Sequence, residues 1–184
     1  IIAQTDVPES IGIGGQKIMR AETTGPTMDK IAFTVNDTAK ALYKIYTGMT
    51  ALQIVLLLAG GMKLFDAAVN TFGSVGTGGF SIYNRSIGQY GSAYADIVIA
   101  LFMLAAGVNF SLYYKLFSGD AAQLFRDFEL KVYVRIVAGS TVFIAIVLVW
   151  KGFYAGIGES LHHAFFQVAS IITTTGYATA DFDT

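Results

Sequence analysis

Cysteine is absent from all 184 residues. Its absence excludes disulfide frameworks, thiolate metal sites and cysteine nucleophiles, and leaves the redox compartment undetermined. Charge is also scarce: Asp, Glu, Lys and Arg make up 14% of the chain, against roughly 25% in ordinary soluble domains. Hydrophobic residues reach 54% and mean hydropathy is +0.56, a balance suited to lipid rather than water. A net charge of −1 provides no cationic surface, so no nucleic-acid partner is expected. The chain opens on Ile1 and lacks a basic flank followed by a short apolar core and a cleavage site, so it reads as an internal piece without a signal peptide.

The uncharged runs are long. Ile45 to Met62 and Ile97 to Tyr114 each hold 18 residues without a charge, and Ile136 to Trp150 holds 15. As a helix, the first would be roughly 27 Å long, close to the thickness of the hydrocarbon core. The third can be extended by its flanking cations, whose stems lie along the apolar layer. These runs predict three membrane spans, because soluble core helices seldom run this far without a charged face.

Cations distribute unevenly around those spans. Lys17, Arg20, Lys30, Lys40 and Lys44 precede the first, and Lys115, Arg126, Lys131 and Arg135 lie between the second and third. Lys63, Arg85 and Lys151 fall on the other side. Positive charge collects on the cytoplasmic face, so the segment from Lys115 to Arg135 is expected inside and those after Met62 and Trp150 outside. The outer segment from Lys63 to Asp96 is helix-like over Leu64 to Val75, yet the next span must start on the side where the first one ended. A short helix that dips into the membrane and returns satisfies both conditions.

A shift of 97 residues lays a second such segment on the first, matching Ala67 with Ala164, Thr77 with Thr174, Gly79 with Gly176 and Phe80 with Tyr177. The loops read Val75-Gly76-Thr77-Gly78-Gly79-Phe80-Ser81 and Ile172-Thr173-Thr174-Thr175-Gly176-Tyr177-Ala178, sharing Thr-X-Gly-aromatic. No carboxylate occurs between Asp66 and Asp96 or between Glu159 and Asp181. That argues against a ring of charged side chains and for backbone carbonyls wrapped around a dehydrated cation. Glycine at positions 79 and 176 permits backbone angles that a side chain would forbid. Phe80 and Tyr177 are expected to wedge the loops against neighbouring helices, and the carbonyl ends of the dipping helices favour a cation.

The words Gly14-Gly15-Gln16-Lys17-Ile18-Met19-Arg20-Ala21-Glu22, Phe65-Asp66-Ala67-Ala68, Thr77-Gly78-Gly79-Phe80-Ser81, Ala106-Gly107-Val108-Asn109-Phe110 and Thr174-Thr175-Gly176-Tyr177-Ala178-Thr179 give the sequence its family likeness. It resembles the Trk/Ktr/HKT superfamily of potassium transporters, and most closely its bacterial TrkH branch. The resemblance implies an all-α membrane protein of repeated outer helix, re-entrant pore helix with filter loop, and inner helix, four such units surrounding one pore. Residues 1–44 would end the first unit and provide a cytoplasmic linker, and 45–117 would form the second unit. Residues 118–135 would be a cytoplasmic loop, and 136–184 the third unit up to its filter. The implied K+ sites are Gly76, Thr77, Gly78 and Gly79 with Thr173, Thr174, Thr175 and Gly176.

The same resemblance implies potassium uptake across the bacterial inner membrane by a multi-pass homodimer that meets a cytosolic nucleotide-binding regulatory subunit of the TrkA type. It names no organic cofactor. Channel-like conduction and proton- or sodium-coupled symport both remain open. The first and fourth filters fall outside this chain, so two loops alone should not conduct selectively.

Gly12-Ile13-Gly14-Gly15 has no preceding strand and reads as packing rather than a dinucleotide loop. His162 and His163 point about 100° apart on a helix, which disfavours a shared metal, and an interfacial, partly solvated pair is expected. Gly107 and Asn109 in the second span are candidates for a gating bend, with close packing as the plainer explanation. Asp66 opens the first dipping helix, where an anion is favourable. An intramembrane enzyme would need a catalytic constellation that none of the spans carries. A non-conducting scaffold is a further alternative, which the intact loop glycines argue against.

Overall fold

The computed structural model describes residues 35–109, 112–113, 127–154 and 156–180. The segment from Gly14 to Glu22, Phe110 and most of the expected cytoplasmic loop lie outside the described residues. Among the described residues, five α-helices are delimited in order: α1 Val35–Ala59, α2 Leu64–Val75, α3 Ala93–Ala106, α4 Phe128–Lys151 and α5 Ile157–Ile172, with a short 3-10 helix Ser86–Tyr90 before α3. The described residues contain no strand.

Local chemistry sets the ends of these helices. Gly60 and Gly61 close α1, Gly61 taking a left-handed φ of 83° that glycine adopts without steric cost. The Ser92 hydroxyl accepts the Ala95 N–H at 3.3 Å and opens α3. The Asp127 carboxylate accepts the N–H groups of Glu129 and Leu130 at 2.9 and 3.2 Å and opens α4. Such caps satisfy donors that have no partner within the helix. Gly152, also left-handed, closes α4.

Two helix pairs, α1 with α2 and α4 with α5, are joined by α3, which packs on α1, α2 and α5. The core lies around that central helix: Leu57, Ala67, Ile87, Ile99, Ala100, Met103, Phe166, Ala169 and Tyr177 are all buried there. The long helices α1 and α4 instead turn apolar side chains outward. Val134, Ile136, Val142, Phe143, Ile146 and Trp150 of α4 are exposed, as are Leu52, Val55 and Leu58 of α1. Both helices are long and apolar enough to cross a membrane. A helix this apolar with so little of it covered is matched to a lipid environment.

The second expected span differs from the sequence expectation. The helix does not run from Ile97 to Tyr114; it starts four residues earlier at Ala93 and stops at Ala106. The stop is chemically satisfied. Gly107 N–H bonds the Met103 carbonyl at 3.0 Å and Val108 N–H the Ala105 carbonyl at 3.1 Å. The Tyr133 hydroxyl donates to the Leu104 carbonyl at 3.2 Å, and the Tyr113 hydroxyl also donates to Ala105. Side-chain donors of this kind let a helix end in an apolar setting, where a bare carbonyl would be costly. α4 begins eight residues before the uncharged run did, because its first two turns carry Glu129, Lys131 and Arg135 on a helix already capped by Asp127.

Phe143 sits near the middle of α4 with its ring 69% exposed. Replacing it with lysine is expected to oppose membrane insertion by about 2.5–3.5 kcal/mol, whereas Phe143→Leu should be neutral. A glycosylation-mapping assay of α4 insertion in the intact parent protein checks both.

Candidate functional site

Helices α2 and α5 end in the same backbone figure. After α2, the N–H groups of Gly76, Thr77 and Gly78 bond the carbonyls of Phe72, Ser74 and Gly73 at 3.0, 3.2 and 2.8 Å. After α5, Thr173, Thr174 and Thr175 bond those of Ala169, Ile171 and Ser170 at 3.3, 3.0 and 2.9 Å. Every donor and acceptor is displaced by the 97 residues that separate the two sequence words. Thr77 and Thr174 both take left-handed φ, 49° and 56°, and so do Gly79 and Gly176, at 63° and 86°. A threonine in that region is strained by roughly 1–2 kcal/mol. Strain of this kind gathers at functional sites.

The loops meet. A Cβ built on Gly79 would lie 1.9 Å from the Thr175 carbonyl oxygen and 3.5 Å from the Gly176 carbonyl carbon. No side chain fits there, so both the space and the backbone angle demand glycine at position 79. Gly176 differs, since nothing stands within 4 Å of its Cβ position. Gly76, Gly78, Thr174 and Gly176 are exposed, Thr77 and Gly79 half-buried, and Thr173 and Thr175 buried.

The two aromatic positions part company. Tyr177 is fully buried, and its hydroxyl lies within donating distance of the Phe80 carbonyl at 2.9 Å and the Asn70 carbonyl at 3.2 Å. It thus links the second loop to the first and to α2. A Cβ on Gly73 would meet that hydroxyl at 1.9 Å, which explains glycine there. Phe80 is 76% exposed, its ring lying over Gly78 of its own loop; it does not pack into the described helices.

The second loop carries its own polar support. The Ser170 hydroxyl donates to the Tyr177 carbonyl at 2.7 Å. The Thr173 hydroxyl is within reach of the Ala169 carbonyl and the Thr175 hydroxyl, both at 2.7 Å. At the matched positions 73 and 76 the first loop has glycine and depends on other elements. Past the loops, Ala178 N–H bonds the Ser86 hydroxyl at 3.2 Å and Gly88 N–H the Ala178 carbonyl at 3.1 Å, so the segments that follow the two loops are also joined.

Gly107 lies at the end of α3 beneath this assembly. A Cβ there would meet the Tyr133 hydroxyl at 2.8 Å and the Thr173 methyl at 3.0 Å, so the helix break touches the second loop directly. Asn109 donates to Glu129 at 3.3 Å. Asp66, in the first turn of α2, accepts from the Tyr83 hydroxyl at 3.4 Å instead of capping backbone.

Several partners had no clear signal in the sequence. His162 Nε2 pairs with the Asp96 carboxylate at 2.9 Å. His163 Nδ1 lies 3.0 Å from the Thr179 hydroxyl and stacks on Tyr154, their ring centroids 4.6 Å apart. The histidines thus have different partners, and the described residues hold no cluster of metal-binding side chains. Asn70 donates to the Tyr90 hydroxyl at 2.8 Å. Burial pushes the Tyr90 phenol above its ordinary value while the bond from Asn70 pulls the other way. Gln53 and Asn70, amides within apolar runs, were the available hint, because such groups at membrane depth need partners.

Comparison with known proteins places this geometry in a family. Residues 6–184 match TrkH, described as a cation transport protein. The chain is 34% identical over 171 residues to the Trk system potassium uptake protein TrkH of Salmonella typhimurium, an alignment covering 92% of this chain and 35% of the relative. It is 32% identical over 186 residues to TrkH of Halomonas elongata, covering 100% of this chain and 38% of the relative. It therefore spans little more than a third of the length of these curated relatives. Among solved structures, the crystal structure of the potassium transporter TrkH from Vibrio parahaemolyticus superposes with a TM-score of 0.78 at 27% identity, covering 92% of this chain and 37% of that one. Two abutting loops of matched backbone, an all-helical frame with two helices fit to cross a membrane, and a family match over nearly every residue lead to one conclusion: this chain belongs to the TrkH family of cation transport proteins.

Proposed function

We propose that this chain forms part of the ion pathway of a multi-pass potassium uptake protein in a bacterial inner membrane, with Gly76 to Gly79 and Thr173 to Gly176 lining it through backbone oxygens. The observation that carries this reading is the recurrence, in two touching loops, of a helix end followed by left-handed threonine and left-handed glycine. In extended backbone, successive residues face opposite sides. Left-handed residues at every second position break that alternation and allow neighbouring carbonyls to turn the same way. A potassium ion that has shed its water requires such a row of oxygens. Both loops are free of carboxylates, in keeping with coordination by neutral oxygens, and the names of the relatives support potassium as the cargo.

In this reading residues 45–117 are one pore unit and 136–184 the leading part of the next. Residues 1–44 end the preceding unit and 118–135 form the cytoplasmic connection. The basic stretch from Lys115 to Arg135 is the surface offered to a nucleotide-binding regulatory subunit of the TrkA type, and the whole protein is a homodimer. Gly107 and Asn109 mark the point where the inner helix yields during gating, since the contact of Gly107 with Thr173 couples the helix break to the second filter loop. A scaffold without conduction would have no use for two strained threonines at matched positions.

The two glycines separate function from folding. In the intact parent protein, Gly176→Ser meets open space and incurs only the backbone cost of about 1–2 kcal/mol. It is expected to reach the membrane at near-normal level while losing K+ over Na+ discrimination by about tenfold or more. Gly79→Ser collides with the Thr175 carbonyl and should reduce both assembly and uptake. Growth of a potassium-uptake-deficient bacterium on low potassium, with 86Rb+ and 22Na+ uptake and membrane yield, reads both; normal growth and unchanged discrimination in Gly176→Ser would remove the filter assignment.

Gly107→Ala is expected to force Tyr133 and Thr173 apart, at about 1–3 kcal/mol for an overpacked contact, and to change open probability in single-channel or flux recordings. Unchanged flux at normal expression would count against a gating role.

A further inference from the structure

Between α1 and α2 lies a polar cluster that the ion pathway does not use. Gln53, Asn70, Thr71 and Ser74 have no exposed surface at all. The Ser74 hydroxyl is 2.9 Å from Gln53 Oε1 and 3.1 Å from the Thr71 carbonyl. Asn70 directs its amide N–H groups to the Tyr90 hydroxyl at 2.8 Å and the Met62 sulfur at 3.6 Å. That leaves Gln53 Nε2, Asn70 Oδ1 and Thr71 Oγ1 buried without a protein partner. On α2, Ser74 follows Asn70 by four residues and Thr71 by three, the spacings at which helix side chains are neighbours, and Gln53 reaches across from α1 to Ser74.

The unpartnered atoms specify the ligand by their chemistry. One is a donor, one an acceptor, and the hydroxyl is both. A cation cannot satisfy the amide N–H. Turning the Gln53 amide over leaves only three oxygens, too few to replace the hydration shell of a buried cation. Water donates and accepts, and buried waters characteristically serve two to four such groups. We infer that Gln53, Asn70 and Thr71 hold one or more ordered water molecules between α1 and α2, forming a buried hydration site that braces the pore helix behind the first loop. The second loop carries Ser170 and Thr173 for its own support, whereas the first has Gly73 and Gly76 at the matched positions. The brace supplies from behind what those glycines cannot.

The test uses the intact parent protein and does not depend on which ion it carries. Thr71→Val keeps the shape and removes a hydroxyl that has no protein partner. If water is bound, the variant strands it and should lower the melting midpoint of the purified protein by about 2–4 °C. If the site is dry, the same change deletes an unsatisfied polar group, so the midpoint should stay level or rise, and that result would overturn the inference. A cryo-EM map of the unmodified protein fine enough to show ordered water should place density within 3.2 Å of Thr71 Oγ1 and Asn70 Oδ1. Empty density there refutes the site even if the variant cannot be purified. Loss of ion discrimination in Gly176→Ser with dry density would leave the filter reading standing and the hydration site gone.

Discussion

The structure turns on a backbone-to-backbone contact. Gly79 approaches Thr175 so closely that no side chain could stand between them, and the buried hydroxyl of Tyr177 holds the approach by hydrogen bonding to the carbonyls of Phe80 and Asn70. Two loops that begin almost a hundred residues apart are brought to one place by this contact. Moving either loop would leave the buried Tyr177 hydroxyl without its acceptors, and in an apolar setting that loss is not recovered from water. The glycines at 73 and 79 and the tyrosine at 177 are therefore one design constraint expressed at three positions.

Polarity within this protein is carried mainly by hydrogen bonds and helix ends, with little use of charge. The one ion pair that involves a described histidine joins His162, in the second turn of α5, to Asp96, in the first turn of α3. Deeper contacts are neutral: Ser74 to Gln53, Ser170 to Tyr177, Thr173 to Thr175 and Tyr133 to the end of α3. Neutral groups avoid the desolvation penalty of buried ions.

The shortness of α3 follows from the same economy of polar groups. α3 can stop at Ala106 because tyrosine hydroxyls serve the Leu104 and Ala105 carbonyls, and Gly107 lets Tyr133 and Thr173 close over the break. A helix end, a second helix and the loop after α5 therefore share one contact, so a shift at any of them is felt by the other two.

Hydrophobic run length and periodicity by themselves determined the all-helical class, the approximate seats of α1 and α4, and the extent of α2 from Leu64 to Val75. They also determined the 97-residue repeat, because glycine and threonine recur wherever the backbone must turn left-handed and a local rule leaves a local mark. Only the tertiary structure decided which side chains serve those turns. It separated the roles of Tyr177 and Phe80, since an aromatic ring has the same local preferences whether or not a neighbour covers it. It also stopped α3 at Gly107 through a hydroxyl on α4, and gathered Gln53 with Asn70, Thr71 and Ser74. Such contacts depend on which helix faces which, and a run of apolar residues encodes burial without naming the partner.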